Sequence, residues 1–242
     1  MSHRFFAELT DTARARLPSE EAEHALKVLR LKSGDEVELL DASAHAYKAQ
    51  LDVAGAEVYA DIIEALPSRE APVEVTLFMG IPKGEKLELI AQKLTELGAK
   101  SLYPVRMTRC VAKIEDKEAD KKLQRPRRIA QEAQKQCGRA GELEIPSPID
   151  IKALCAQIRD YDAVFLLWEE ARSLQLKDCK AASPELKRIA YIVGPEGGIT
   201  CEEANLLTDT GAQAITLGPR ILRAETAAVA GCAAIMTLWG DL

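Results

Sequence analysis

The 242-residue sequence has no apolar run long enough to cross a bilayer. Its most apolar stretch, AAVAGCAAIMTLW at 227–239, is shorter than the roughly 20 residues that a spanning helix needs. Near the start, Glu8 and Asp11 stand where a secretory signal would need an apolar segment. We therefore expect a cytoplasmic protein with no membrane partner.

Metal-ligand and redox spacings are also missing. The six cysteines include no CxxC pair, and the three histidines, His3, His24 and His45, all precede the first cysteine, Cys110. Zinc ribbons and dithiol redox motifs need such pairs. The sequence therefore predicts no metal site and disfavours a Cys-His nucleophile.

Positive charge is in deficit overall, with 32 Lys and Arg against 38 Asp and Glu, a net charge of −6. A net negative charge by itself argues against a protein that grips nucleic-acid phosphates. Residues 1–70 hold 8 basic and 14 acidic side chains, whereas residues 100–139 hold 12 basic and 5 acidic ones. The basic segment is either a solvated helix face or a surface for a polyanionic partner.

Residues 1–70 have the alternating pattern of half-buried antiparallel strands. The segments EVELLDA, AYKAQLDVA and EVYADIIEAL are separated by turn residues, which predicts a small β-barrel. The sequence LPSREAP at 66–72 is typical of a linker. We therefore divide the chain into domains 1–70 and 71–242.

The second domain alternates apolar strands with helices. Its candidate strands are VEVTLFM, SLYPV, AVFLLW, RIAYIV and AITL. Helices are predicted at 85–97, from the cap Thr200 to Gly211, and at 224–239, while Pro126 predicts a restarted or kinked helix. This pattern indicates an α/β fold with a mostly parallel sheet.

Two Gly-Pro loops follow strands of this sheet. IVGPEGGIT at 192–200 joins a strand to a capped helix, and LGPRILRAET at 217–226 follows the next strand. Open α/β sheets bind ligands beyond the carboxyl ends of their strands. The alternative is that these are ordinary turns, and that Glu225 only complements the dipole of the following helix. That helix is apolar on nearly all sides, which predicts burial in a core or in a subunit interface.

The two loops, together with HALKVLRLKSGDEV, GIPKGEKLELIAQKLTELGA and EAQKQCGR in this order, resemble the RsmE family of SPOUT-class RNA methyltransferases along essentially the whole chain. The resemblance implies a PUA-like β-barrel followed by an α/β domain with a deep C-terminal trefoil knot. It also implies a homodimer that uses S-adenosyl-L-methionine to methylate N3 of a uridine in 16S ribosomal RNA.

The resemblance also assigns roles to residues. The implied cofactor-binding residues are Leu167, Trp168, Val193, Gly194, Pro195, Glu196, Gly197, Gly198, Leu217, Gly218, Ile221 and Leu222. Arg220, Arg223 and Glu225 are the candidate catalytic residues, with arginine stabilising charge on the uracil and Glu225 orienting it or accepting its proton. Arg30, Arg109, Arg128 and Arg139 are the candidate RNA contacts.

Two other functions remain open at this point. One is a non-catalytic RNA-binding or ribosome-assembly protein that uses the barrel and the basic segment. The other is a nucleotide-binding protein that uses the GPEGG loop, although this loop lacks the lysine of a Walker motif.

Overall fold

The computed structural model describes residues 3–171 and 174–242, which form two compact units. The first unit contains the described residues up to Glu70 together with Gln134–Glu142, and the second contains Ala71–Ala133 and Leu143–Leu242. Residues 134–142, which a division at residue 70 assigns to the second domain, thus pack in the first. Among the described helices, none is long and apolar enough to span a membrane.

The first unit is built on one sheet. Its strands are β1 (His3–Phe6), β2 (Glu8–Leu9), β3 (Arg14–Arg16), β4 (Glu36–Leu40), β5 (Ala46–Ala54) and β6 (Glu57–Leu66), and its helices are α1 (Ser19–Glu23) and a π-helical turn at His24–Val28. The order is β1-β4-β5-β6-β3-β2, with β1 parallel to β4 and the other pairs antiparallel. The strands β1 and β2 lie at the two opposite edges of this sheet, yet only Ala7 separates them in the chain. The sheet therefore has to curl so that its two edges come close together.

The predicted alternation is confirmed in β4, β5 and β6. Val37 and Leu39 of β4 point into the core with Leu51 and Val58, each at most 2% exposed. Gly55 begins the two-residue turn between β5 and β6 with φ +69°, a conformation that glycine adopts without steric cost. The three strands predicted for this domain are therefore adjacent strands of this sheet.

The second unit is a sheet covered by helices. Its strands are β7 (Glu74–Gly80), β8 (Ser101–Arg106), β9 (Ile149–Asp150), β10 (Ala163–Leu167), β11 (Arg188–Val193) and β12 (Gln213–Ile215). Its helices are α2 (Lys86–Glu96), α3 (Ala119–Cys137, whose last residues lie in the first unit), α4 (Ile151–Gln157), α5 (Leu176–Ala182), α6 (Cys201–Asp209) and α7 (Ala224–Trp239), with 3-10 turns at Asp116–Glu118 and Ile158–Asp160. The strand order is β12-β10-β11-β7-β8-β9, and every pairing is parallel.

The central strands β7 and β11 are buried on both faces, as their continuous apolar sequences predict. Leu77 and Tyr191 face one core cluster, while Phe78 and Ile192 face the other. The Tyr191 hydroxyl donates a 2.7 Å hydrogen bond to the carbonyl of Ala228 in α7. Helix α7 is therefore fixed to the centre of the sheet.

The helix predictions agree closely with the structure, with one exception. Helix α6 begins with the predicted capping box, in which the Thr200 hydroxyl accepts from the Glu203 N–H and the Glu203 carboxylate accepts from the Thr200 N–H. Helix α7 has the predicted bounds. At Pro126, where the sequence predicts a restarted or kinked helix, α3 does not restart but continues through this residue.

Candidate active site

The site lies at the carboxyl ends of β10, β11 and β12. Because these strands are parallel, the loops that follow them emerge at the same edge of the sheet. They enclose a cavity of about 1030 Å³ in the second unit. The strands that carry the two Gly-Pro loops are not neighbours, since β10 lies between β11 and β12. The loops still share the cavity, because the end of β10 forms the wall between them.

All twelve residues that the resemblance assigns to the cofactor line this cavity: Leu167, Trp168, Val193, Gly194, Pro195, Glu196, Gly197, Gly198, Leu217, Gly218, Ile221 and Leu222. Two of the candidate catalytic residues, Arg220 and Arg223, also line it, and both are exposed. Ile221, between them, is 87% exposed, so this loop presents one apolar and two cationic side chains together.

The GPEGG loop (Gly194–Gly198) packs closely against neighbouring residues of the protein, including Ile199 and Arg109. A Cβ on Gly194 would lie 2.6 Å from Cγ1 of Ile199, and one on Gly197 would lie 2.9 Å from Cβ of Arg109. Both distances are shorter than carbon atoms tolerate. Glycine is therefore required here by neighbouring protein atoms.

Glu225 does not line the cavity itself but contacts Lys86, which does. No pattern in the sequence had pointed to Lys86. The Lys86 Nζ lies 2.9 Å from Oε1 of Glu196 and 3.0 Å from Oε2 of Glu225. Lys86 lines the cavity as the first residue of α2, whereas Lys83, in the loop before this helix, does not. A single lysine at a helix start has no spacing pattern that would have singled it out.

This ion triad shifts the pKa of each of its members. The ion pairs with Glu196 and Glu225 raise the pKa of Lys86. Partial burial raises the pKa of Glu196, but the bonds from Lys86 and from the Lys83 N–H outweigh it, so the pKa lies below its ordinary value. The pKa of Glu225 is lowered chiefly by its own backbone N–H, with Lys86 and Arg223 contributing. The triad is therefore fully ionised at neutral pH, with a net charge of one negative unit.

The basic residues predicted to contact RNA divide into two groups. Arg30, Arg109 and Arg128 are exposed. Arg30 follows the π-helical turn with φ +57°, and the Arg109 guanidinium donates a 3.0 Å hydrogen bond to the carbonyl of Gly197. Arg109 thus belongs to the surroundings of the GPEGG loop.

Arg139 is in the other group, because the structure buries it in the first unit. It is 5% exposed, and its guanidinium lies 2.6 Å from Glu70, whose carboxylate also accepts from the Gly141 N–H. A guanidinium paired in this way is not presented to an RNA phosphate. The prediction for Arg139 is replaced by a structural role, since charge type in a sequence does not reveal burial.

Much of the basic segment is also engaged within the second unit. Arg125 lies 2.7 Å from Glu85, Lys122 lies 3.0 Å from Glu118, and Arg127 donates to the carbonyl of Ile145. The local excess of positive charge is therefore less available to a partner than the residue count suggests. Arg128 is exposed on the same helix and has no ion pair among the described residues.

Comparisons with known protein families cover both units. Residues 69–236 match the RNA methyltransferase domain family, and residues 17–57 match the RNA methyltransferase PUA domain family. The barrel-like first unit is therefore PUA-like, as the sequence resemblance implied.

Named relatives extend the match to nearly the whole chain. A ribosomal RNA small subunit methyltransferase E of Bacillus subtilis is 34% identical over 96% of this chain and 95% of its own length. Among solved structures, a ribosomal RNA small subunit methyltransferase E from Neisseria gonorrhoeae bound to S-adenosyl methionine is 31% identical, with a TM-score of 0.88 over all of both chains. A putative methyltransferase from Legionella pneumophila in complex with the same cofactor is 28% identical, with a TM-score of 0.85 over all of both chains. The chain therefore belongs to the ribosomal RNA small subunit methyltransferase E family.

Proposed function

We propose that this protein transfers a methyl group from S-adenosyl-L-methionine to N3 of a specific uridine in 16S ribosomal RNA. One observation carries the proposal: the two Gly-Pro loops and the end of β10, which the resemblance assigns to the cofactor, line a single cavity. The full-length similarity to a relative bound to S-adenosyl methionine supports the same assignment.

The cavity fits this cofactor in size and in chemistry. Its volume of about 1030 Å³ is at the upper end of the range for small-molecule sites, roughly 300–1,000 Å³. Leu167, Ile215 and Leu217 offer apolar walls to an adenine ring, while Glu169 and Glu170 offer negative charge to a cationic methionine group. The Trp168 Nε1 is buried without a hydrogen-bond partner among the described residues, so an acceptor on a ligand would satisfy it.

The cofactor supplies an electrophilic methyl group on a sulfonium centre. The protein has to align the acceptor base and favour loss of the N3 proton, which leaves negative charge on the uracil oxygens. Arg220 and Arg223 stand exposed at the cavity and are suited to stabilise this charge. The lowered pKa of Glu225 makes its carboxylate a weak proton acceptor, so we assign it an orienting role.

For the RNA, we propose that exposed Arg30, Arg109 and Arg128 contact phosphates, and we leave out buried Arg139. The target is 16S ribosomal RNA, free or within the small subunit or its precursor, in the cytoplasm. The target base has to be unstacked, because N3 lies on its Watson–Crick edge. The first unit positions the RNA, and the second unit carries out the transfer.

We also propose that the second unit contains the trefoil knot of its class and that the protein is a homodimer. The strand β11 follows β7 and β10 in the chain but lies between them in the sheet, which supports a threaded chain path. On α7, the side opposite the sheet carries the small or apolar side chains of exposed Thr226 and Thr237 and of half-buried Val229 and Ala233. Light scattering coupled to size-exclusion chromatography tests the dimer.

The function is tested with tritiated S-adenosylmethionine and small ribosomal subunits from a strain that lacks the protein. We expect tritium in 16S RNA and, by mass spectrometry, N3-methyluridine at one position. Absence of transfer, combined with normal RNA binding, would support the non-catalytic alternative. Absence of cofactor binding in calorimetry at millimolar concentration would overturn the proposal.

A further inference from the structure

Lys86 joins three segments that are far apart in sequence. It is the first residue of α2, Glu196 belongs to the GPEGG loop, and Glu225 lies in the first turn of α7. Both carboxylates lie within 3.0 Å of the one ammonium nitrogen. The loop assigned to the cofactor and the helix start assigned to the acceptor base are thus connected by a single side chain.

The connection has an electrostatic reason. Because both carboxylates contact the same nitrogen, their contacting oxygens lie no more than about 6 Å apart. The Glu196 and Glu225 side chains are 24% and 16% exposed, so water screens their mutual repulsion only in part. Without a cation between them, two such carboxylates separate or one of them takes up a proton.

The other contacts of the two carboxylates do not replace this cation. Glu196 also accepts a 3.0 Å hydrogen bond from the Lys83 N–H. Glu225 is otherwise stabilised by its own backbone N–H and by the charge of Arg223. Each of these interactions holds one carboxylate alone, whereas Lys86 holds both.

Resting on the proposed function, we propose that Lys86 is a positioning residue for methyl transfer, which holds the GPEGG loop against the start of α7 and thereby fixes the cofactor relative to Arg223 and Glu225. Lys86 carries out no step of the chemistry itself. This role requires a positive charge and a side chain long enough to contact both carboxylates.

The test compares Lys86→Gln and Lys86→Arg with the unaltered protein. In Lys86→Gln we expect S-adenosylhomocysteine to bind about tenfold more weakly in calorimetry, because the loop loses a charge-assisted bond, and kcat to fall with it. The carboxylates of Glu196 and Glu225 then face each other with Arg223 as the remaining nearby cation. The acidic limb of the kcat profile should therefore move to higher pH. Lys86→Arg should restore both the affinity and the pH profile.

Two further variants separate positioning from folding. Adding Glu196→Gln to Lys86→Gln removes the repulsion, so we expect the acidic limb to return toward that of the unaltered protein. Lys93→Gln breaks an exposed ion pair with Glu96 on the same helix, at 2.8 Å, and should change neither affinity nor pH profile.

The outcomes are distinguishable. If the unaltered protein transfers methyl groups and Lys86→Gln matches it in affinity and pH profile, this proposal is wrong and the proposed function stands. The positioning role is also wrong if Lys86→Gln loses activity only together with its melting transition. If the unaltered protein neither binds the cofactor nor transfers a methyl group, both proposals fall together.

Discussion

Arg109 and Gly197 contact each other through both backbone and side chain. The Arg109 Nη1 donates to the Gly197 carbonyl at 3.0 Å, and a Cβ on Gly197 would lie 2.9 Å from Cβ of Arg109 and 3.1 Å from its carbonyl oxygen. The loop after β8 therefore supports the GPEGG loop from outside the cavity. A residue assigned from the sequence to RNA contact also shapes the site proposed for the cofactor.

This contact predicts that Gly197→Val abolishes S-adenosylmethionine binding in calorimetry. A valine has no room beside Arg109, so the GPEGG loop must move. Gly55→Ala is the control: its φ of +69° strains an alanine, but its Cβ would meet no atom within 4 Å and the turn lies in the first unit, so it tests a strained glycine substitution away from the site. Full affinity in Gly197→Val would remove the loop from the site.

Arg223→Ala is expected to lower kcat roughly 100-fold, the typical effect of losing one donor to a developing oxyanion, while cofactor affinity changes little. Arg223 is exposed and makes no capping bond to α7, so its loss leaves the helix intact. Arg188→Ala is a matched control, since this exposed arginine begins β11 and therefore lies at the end of the strand away from the GPEGG loop. An unchanged rate in Arg223→Ala would exclude it from the catalytic set.

Tryptophan fluorescence should report cofactor binding directly. Trp168 lines the cavity, whereas Trp239 is buried and donates to the Ser183 carbonyl at 3.0 Å. We expect S-adenosylmethionine to change the emission of the unaltered protein and of Trp239→Phe, but not of Trp168→Phe. If the indole N–H bonds to the ligand, Trp168→Phe also weakens binding by about three- to tenfold, the value of one hydrogen bond. A signal that survives in Trp168→Phe would place the ligand elsewhere.

Arg128 and Arg139 should differ in their effect on RNA binding. For exposed Arg128, alanine is expected to reduce the salt dependence of RNA affinity by about one phosphate contact. Arg139→Ala should leave the salt slope unchanged and destabilise the first unit by roughly 3 kcal/mol, because it leaves Glu70 without its buried partner. Filter binding at several salt concentrations and thermal melts distinguish these results. A reduced slope in Arg139→Ala would restore its assignment to RNA contact.

The same pair predicts a dependence of stability on pH. Burial raises the pKa of Glu70, but the bonds from Arg139 and the Gly141 N–H outweigh it, and the folded pKa lies below the ordinary value of 4.5. The stabilisation is therefore complete above pH 4.5 and is lost as pH falls through the folded pKa. Melting temperatures of the unaltered protein should fall in this acidic range more steeply than those of Glu70→Gln. Parallel curves would contradict the linkage.

Local patterns in the sequence predicted the elements well, because each depends on nearby residues. The strands β4 to β6, the capping box at Thr200 and Glu203 and the bounds of α7 all follow from such patterns. The position of β10 between β11 and β12 did not follow, since strand order depends on long-range packing. The sequence did not predict the burial of Arg139 or the contacts of Lys86 with Glu196 and Glu225 either. Both depend on carboxylates that lie far away in the sequence.

The place of β11 in the sheet also has a consequence during synthesis. Until residues 188–193 leave the ribosome, β7 and β10 each lack a neighbour on the side that β11 later fills. Unpaired strand edges of this kind pair readily with other chains. The growing chain therefore passes through an aggregation-prone stage that ends only when residues 188–193 have emerged, and a truncated product that stops before β11 would be prone to aggregate.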